Sequence, residues 1–241
     1  MLPKSKHSAS PPKPRQAPQS FFPGRDGLGA YLESPDSFTP SRVIYHSEKW
    51  VVINDLYPKS SVHVLLLPRD TSKNLLHAFD AFEDPAFLAD VQAEVKKLRT
   101  LVAKELRRKY GKFSAQEKTR EDAMDADPPP DKLPSGRDWG NDVISGIHCS
   151  PSMNHLHIHV LSVDRVNDCM KHRKHYNSFA TPFLVDVEDF PLATNDVRRH
   201  PGRQGYLDSD LRCWRCGKDF GNKFGRLKQH LAEEFEEWKK Q

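Results

Sequence analysis

Histidine falls on every second residue of Met153-Asn154-His155-Leu156-His157-Ile158-His159-Val160-Leu161, with aliphatic side chains between. A strand points successive side chains to opposite faces. This period of two therefore predicts three imidazoles in a row on one face, with Leu156, Ile158 and Val160 in the core behind them. Three readings compete for such a row. It is a surface strand whose histidines do nothing, or a metal chelate, since imidazole is a common zinc ligand. Or it is a nucleophilic site, in which one imidazole attacks while its neighbours hold its tautomer and donate hydrogen bonds. The approach to the strand favours the third. His148-Cys149-Ser150-Pro151-Ser152 adds a further histidine and two hydroxyls, and such a segment can offer hydroxyl and backbone N–H donors to a phosphate.

A second constellation lies near the C-terminus. Cys213-Trp214-Arg215-Cys216-Gly217 has the form of a knuckle in which two thiolates flank a turn, and Gly217 lets the backbone bend toward a metal. Downstream, residues 224 to 235 carry Leu227, Leu231 and Phe235 at helical spacing, with His230 and Glu234 four apart on one face. Cys213, Cys216, His230 and Glu234 are thus a candidate zinc set. A three-ligand site completed by water, or Glu233 in place of Glu234, stays open at this level. A unit this small has little core, so the metal is expected to fold it. Lys218, Lys223, Arg226 and Lys228 make the start of its helix basic and suited to phosphate contacts, with Lys223 and Arg226 the candidate DNA-binding pair.

The elements that position the histidine row are legible in outline. Residues 25 to 32 read as a short helix, and Val43-Ile44-Tyr45 and Trp50-Val51-Val52-Ile53 as paired strands. A third strand, Val62 to Leu67, is apolar without interruption and predicts burial on both faces. Asp84-Pro85 opens a long helix, with the carboxylate as N-cap and proline in the first turn; Val91, Val95, Leu98, Val102 and Leu106 form its apolar stripe. Residues 113 to 137 turn polar and end in three prolines, which reads as a disordered insertion. Val143 to Ile147 is then a strand that delivers His148. The expected fold class is α+β, an antiparallel sheet with packed helices followed by a small zinc-finger domain. The expected domains are a disordered basic arm (1–20), a catalytic domain (21–175) and a C-terminal DNA-binding region (176–241) with the finger at 211–238.

The bulk composition constrains function only loosely. The 241 residues are 37% hydrophobic, enough for a core, and no apolar run approaches a membrane span. The first residues lack the apolar centre of a secretory signal. Four unevenly placed cysteines exclude a disulfide scaffold and suit a reducing compartment. A net charge of +4 is compatible with a polyanionic partner. Residues 1 to 20 carry Lys4, Lys6, Lys13 and Arg15 without an acidic residue, the pattern of a solubilising tail or of a nucleic-acid or nuclear-targeting arm.

With these residues in view, His155-Leu156-His157-Ile158-His159-Val160-Leu161 resembles the signature of the histidine triad superfamily of nucleotide hydrolases and transferases. The His148-X-X-Pro151-Ser152-Met153 form, joined to a terminal zinc finger, resembles its aprataxin branch, the DNA-adenylate hydrolases. The resemblance implies that His157 is the nucleophile toward an α-phosphate and that His155 and His159 orient it and bind phosphate oxygens. It implies that His148 supports the leaving group and that Ser152 binds phosphate. Asp55 would grip the ribose hydroxyls, Lys59 and His63 would lie near the nucleotide, and Lys171 would reach the phosphate. Taken alone, Lys59 and Lys171 are ordinary solvated charges and His63 an ordinary core histidine. Phe21 or Phe22 would wedge against a terminal base pair, and residues 171 to 179 would add a cationic and aromatic shelf facing DNA.

The implied reaction removes AMP from 5′-adenylated DNA ends left by abortive ligation, in single-strand break repair. It runs through a covalent adenylyl-histidine, with no metal needed for that step and zinc only structural. Nicked or broken duplex DNA is the implied partner and AMP the product; the implied compartment is the nucleus, with the cytoplasm a second one, and no membrane is involved. Two other readings are a small-molecule nucleotide hydrolase indifferent to DNA, and a DNA-binding adaptor that performs no chemistry.

Overall fold

A computed structural model describes residues 24–241. Along the chain run α1 (Gly29–Glu33), β1 (Val43–His46), β2 (Trp50–Asn54), β3 (His63–Pro68), α2 (Ala78–Ala81), α3 (Pro85–Tyr110), α4 (Ala115–Met124), β4 (Val143–His148), β5 (Ile158–Ser162), α5 (Arg173–Ala180), β6 (Leu184–Val185), α6 (Pro201–Gln204) and α7 (Phe224–Lys240). The six strands make one sheet in the order β1-β2-β3-β5-β4-β6, with every neighbouring pair antiparallel. No helix among the described residues is long and apolar enough to cross a membrane.

Alternation along the central strands sorts the core into two layers. Val52, Val64, Leu66, Ile158 and Val160 join the cluster built on α3, to which the helix gives Leu88, Val91, Val95, Leu98, Val102 and Leu106. Val51, Ile53, Leu65 and Leu67 point the other way, under Leu28 and Leu32 at α1. Burying each such aliphatic side chain stabilises the fold by about 1.5–3 kcal/mol, which explains an unbroken apolar β3. Asp84 caps α3 as its sequence predicts, its carboxylate accepting from the N–H groups of Ala86 and Phe87.

Three expectations need correction. Residues 113 to 137 are not a disordered insertion: α4 forms there, capped by Ser114. Its Glu117 is buried, accepting from the Trp139 Nε1–H at 3.0 Å and pairing with Arg107 at 2.9 Å. Only tertiary partners make so polar a helix worth ordering. The expected boundary at 175/176 falls inside α5, and β6 beyond it completes the sheet, with Ile147 opposite Val185 and His148 opposite Leu184. Gly146 permits that closure, since a Cβ there would lie 2.6 Å from the Val185 carbonyl oxygen.

The third correction concerns the histidine row. β5 begins only at Ile158, so His155 and His157 precede the strand. The Leu156 N–H donates to the Asn74 carbonyl and the Asn154 N–H to the Arg25 carbonyl, which draws this stretch off the β3 ladder. His159 therefore stands on the strand and His157 at its threshold. The His155 ring packs instead over Gly29, whose missing Cβ would sit 3.0 Å from the imidazole.

The C-terminal unit is seated on the sheet domain. Trp238, near the end of α7, is buried in the α3 core. It is gripped by Arg137, which donates to its carbonyl at 2.6 Å and lies 4.8 Å from its ring centroid, while the indole N–H donates to Asp142 at 2.7 Å. The finger itself closes on a separate small core of Leu211, Leu227, Leu231, Met170 and Tyr176.

Candidate active site and candidate metal centre

A cavity of about 720 Å³ opens on the α1 side of the sheet, a size that accepts a nucleotide. One end is apolar, lined by Leu28, Tyr31, Phe38, Ile53, Leu65 and Met153. The other is polar and aromatic, lined by Lys174, His175, Ser178, Phe179 and Phe183 on and after α5. Between them stand His148, His157, His159, Ser152, Asp55 and Lys59. The chain thus gathers there six of the residues singled out in sequence, drawn from the β2–β3 loop, the end of β4 and the β5 approach.

Hydrogen bonds assign the tautomers. The His157 Nδ1–H donates to the His155 carbonyl at 2.8 Å. Its Nε2 therefore keeps a lone pair, which is the form a nucleophile needs. The Lys59 backbone N–H, always a donor, meets His63 Nδ1 at 3.1 Å. His63 must then carry its proton on Nε2, which faces His159 Nδ1 at 2.9 Å. His159 in turn must carry its proton on Nε2, and that atom is buried with no hydrogen-bond partner among the described residues. His148 Nε2 is buried and unpartnered in the same way, on a ring 4.6 Å from that of His159. Buried polar atoms left unpaired are costly, so they mark where a ligand's polar atoms belong.

Burial also keeps these rings neutral. Desolvation lowers the pKa of His157, takes that of His159 well below the ordinary histidine value, and pushes His148 down to about 3 and His63 to about 4. Desolvation lowers the Lys59 ammonium too, partly offset by the Asp55 carboxylate. Asp55 Oδ1 accepts from the Tyr57 N–H at 2.8 Å, which leaves Oδ2 beside the cavity, 3.4 Å from His63 Nδ1.

The remaining candidates divide. The His63 side chain is wholly shielded, turned to His159 and outside the cavity lining, so its contact with the cavity runs through the His159 ring. Lys171 is exposed and outside the cavity lining; its backbone N–H donates to His175 Nδ1 at 3.2 Å. Lys174 lines the cavity. The signal for its placement is the spacing of Lys174, His175 and Ser178, which share one helical face. His155 lines a smaller recess of about 290 Å³ with Arg25, His77 and Leu75. Phe21 and Phe22 lie outside the described residues. Lys223 and Arg226 are exposed at the start of α7, and neither has an ion-pair partner among the described residues.

In the finger, ligand atoms of Cys213, Cys216, His230 and Glu234 all lie within 4.8 Å of one another. Cys216 Sγ is 3.2 Å from His230 Nε2, and Glu234 Oε1 is 3.3 Å from the same nitrogen. Zinc–ligand bonds of about 2.0–2.3 Å in a tetrahedron imply edges of roughly 3.3–3.8 Å, so the set fits zinc. Glu233 is exposed and lies on the Nδ1 side of His230, so it is Glu234 that joins the two cysteines and His230 in the candidate set. The sharp bend that aims the thiolates is made at Gly217, with φ +73°.

Comparison with known proteins finds two family matches along the chain. Residues 37–166 match the HIT domain, and residues 180–237 match the C2HE / C2H2 / C2HC zinc-binding finger. The aprataxin-like protein of Schizosaccharomyces pombe is 34% identical over 225 residues, covering 91% of this chain and 84% of that protein. The aprataxin-like protein of Saccharomyces cerevisiae is 33% identical over 215 residues, covering 88% and 95%. The crystal structure of the aprataxin ortholog Hnt3 in complex with DNA superposes with a TM-score of 0.70 at 31% identity, covering 89% of this chain and 96% of that one. A HIT domain carrying the histidine row, joined to a C2HE finger and matched to these relatives along nearly its whole described length, places the chain in the aprataxin family.

Proposed function

We propose that this chain is a DNA-adenylate hydrolase that releases AMP from 5′-adenylated DNA ends. One observation carries the reading: His157 presents an unprotonated Nε2 to a nucleotide-sized cavity that also holds the buried, unpartnered Nε2 atoms of His159 and His148. In this reading His157 Nε2 attacks the α-phosphorus of the bound adenylate. A P–N bond forms, the anhydride P–O bond breaks, and its electron pair leaves with the 5′-phosphate of the DNA. The His159 Nε2–H and the Ser152 hydroxyl donate to the phosphoryl oxygens, Lys59 and Lys174 supply positive charge, and His148 lies toward the leaving group. Water then attacks phosphorus, AMP departs and His157 is regenerated. Asp55 accepts from the ribose hydroxyls. These residues can perform each step without a metal, and the zinc of the finger is structural.

The Hnt3 complex supports DNA as the carrier of the adenylate, as do the exposed Lys223 and Arg226 at the start of α7. We place the reaction in repair of single-strand breaks, in the nucleus. The test is incubation of the full chain with a 5′-adenylated nicked duplex. AMP release should be abolished by His157→Ala while DNA binding survives, and acid-labile, base-stable AMP should be found on His157 in quenched wild-type turnover. Full activity of His157→Ala refutes the role given to that ring. Unchanged activity after loss of residues 205–241 points instead to a small-molecule nucleotide hydrolase, and tight nick binding without turnover points to an adaptor.

A further inference from the structure

The finger presents a problem of charge that the active site does not share. Two thiolates, one carboxylate and a neutral imidazole leave a divalent ion with one negative charge in excess, whereas histidine in the fourth place would leave none. Carboxylates also swing between binding modes unless their second oxygen is held. Arg215 answers both needs. It sits between the two cysteines of the knuckle, and its Nη1–H donates to Glu234 Oε2. Glu234 Oε1 is left as the oxygen that faces His230 Nε2 and the thiolates. Both side chains are largely shielded, at 27% and 14% exposure for Arg215 and Glu234, so the pair is not one of the solvent-screened bridges that contribute little. Its geometry is that of an outer-shell partner aiming a metal ligand.

We infer that Arg215 is the positioning residue that makes Glu234 a zinc ligand, by holding Oε2, directing Oε1 at the metal and neutralising the extra charge. Arg215 does not itself bind zinc. The inference concerns metal affinity and stands whether or not the chain acts on adenylated DNA.

The experiment uses the zinc-loaded full chain and reads zinc transfer to a chromogenic chelator of known affinity at fixed pH. Arg215→Gln should weaken zinc binding by about 10–100-fold, and Arg215→Lys, which keeps the charge but not the planar fork, should fall between it and the parent. In a Glu234→His background, where no carboxylate remains to be held, Arg215→Gln should change zinc affinity by less than about twofold. Glu234→Gln gives the same comparison should the imidazole not fit. An Arg215→Gln chain that holds zinc as tightly as the parent overturns the inference. So does an equal loss in both backgrounds, which would make Arg215 a packing residue, and so does a wild-type chain that holds no zinc.

Discussion

At the residue scale, the candidate site depends on where single protons sit. A backbone N–H at Lys59 fixes the tautomer of His63, which fixes that of His159, which leaves a buried Nε2–H without a partner among the described residues. His63 lies outside the cavity lining, yet His63→Leu frees His159 to place its proton on either nitrogen. We expect single-turnover AMP release to slow by about 10–100-fold, a fraction of what losing an oxyanion donor outright costs. Substrate affinity in the same assay should change little. The same burial has a price in acid. Burial pushes folded His63 down to about 4 and folded His148 down to about 3, against an ordinary value of 6.5. Between those limits the unfolded chain binds more protons than the folded one, so stability is full above the ordinary value and declines as pH falls below it. Each such histidine should cost about 1.4 kcal/mol per pH unit in that window, and thermal melts between neutral pH and pH 5 would measure it. A melting temperature that is flat across this range would show that these rings are not buried neutral.

At the scale of elements, two pieces of the fold matter more than their sequences suggest. α5 has one face on the cavity, through Lys174, His175, Ser178 and Phe179. Its other face carries the finger: the Tyr176 hydroxyl donates to the Arg212 carbonyl at 2.7 Å and accepts from the Trp214 N–H at 3.0 Å. Asn177 donates to the Ser209 carbonyl at 2.7 Å. The second piece is the end of α7, where Trp238 fills a pocket between Trp139, Tyr110 and Arg137. Trp238→Ala removes a large buried ring and the indole donor to Asp142, and should destabilise the chain by about 3–5 kcal/mol in denaturant melts. A loss under a third of that would mean that the finger helix is docked loosely.

At the scale of the whole molecule, these two attachments seat the basic start of α7 on the domain that carries His157, the arrangement that the proposed action on DNA ends requires. Lys223 and Arg226 are exposed there without acidic partners among the described residues. Replacing either with glutamine should weaken binding to nicked duplex evenly across sequences and lower the salt slope by about one unit each. Turnover of a small adenylated compound should be unaffected. An unchanged salt slope would move the DNA path elsewhere.

Several elements and the candidate residue types were legible in the sequence, because they are written in local pattern. Apolar runs announced β2 and β3, Asp84 and Pro85 announced α3, and the spacing of Cys213, Cys216, His230 and Glu234 announced the finger. The sequence could not show that β5 starts after His157, because that depends on Asn74 and Arg25 competing for backbone donors from distant parts of the chain. Nor could it show that α4 would order, since so polar a helix is held by distant partners such as Arg107, Trp139 and the Gln241 carbonyl. Packing put Lys174 and not Lys171 at the cavity, set His63 behind His159, and brought Glu234 and not Glu233 beside the cysteines and His230. Each of those outcomes turns on which side chain a neighbouring element can reach, and reach is a property of packing in three dimensions, which spacing along the chain does not encode.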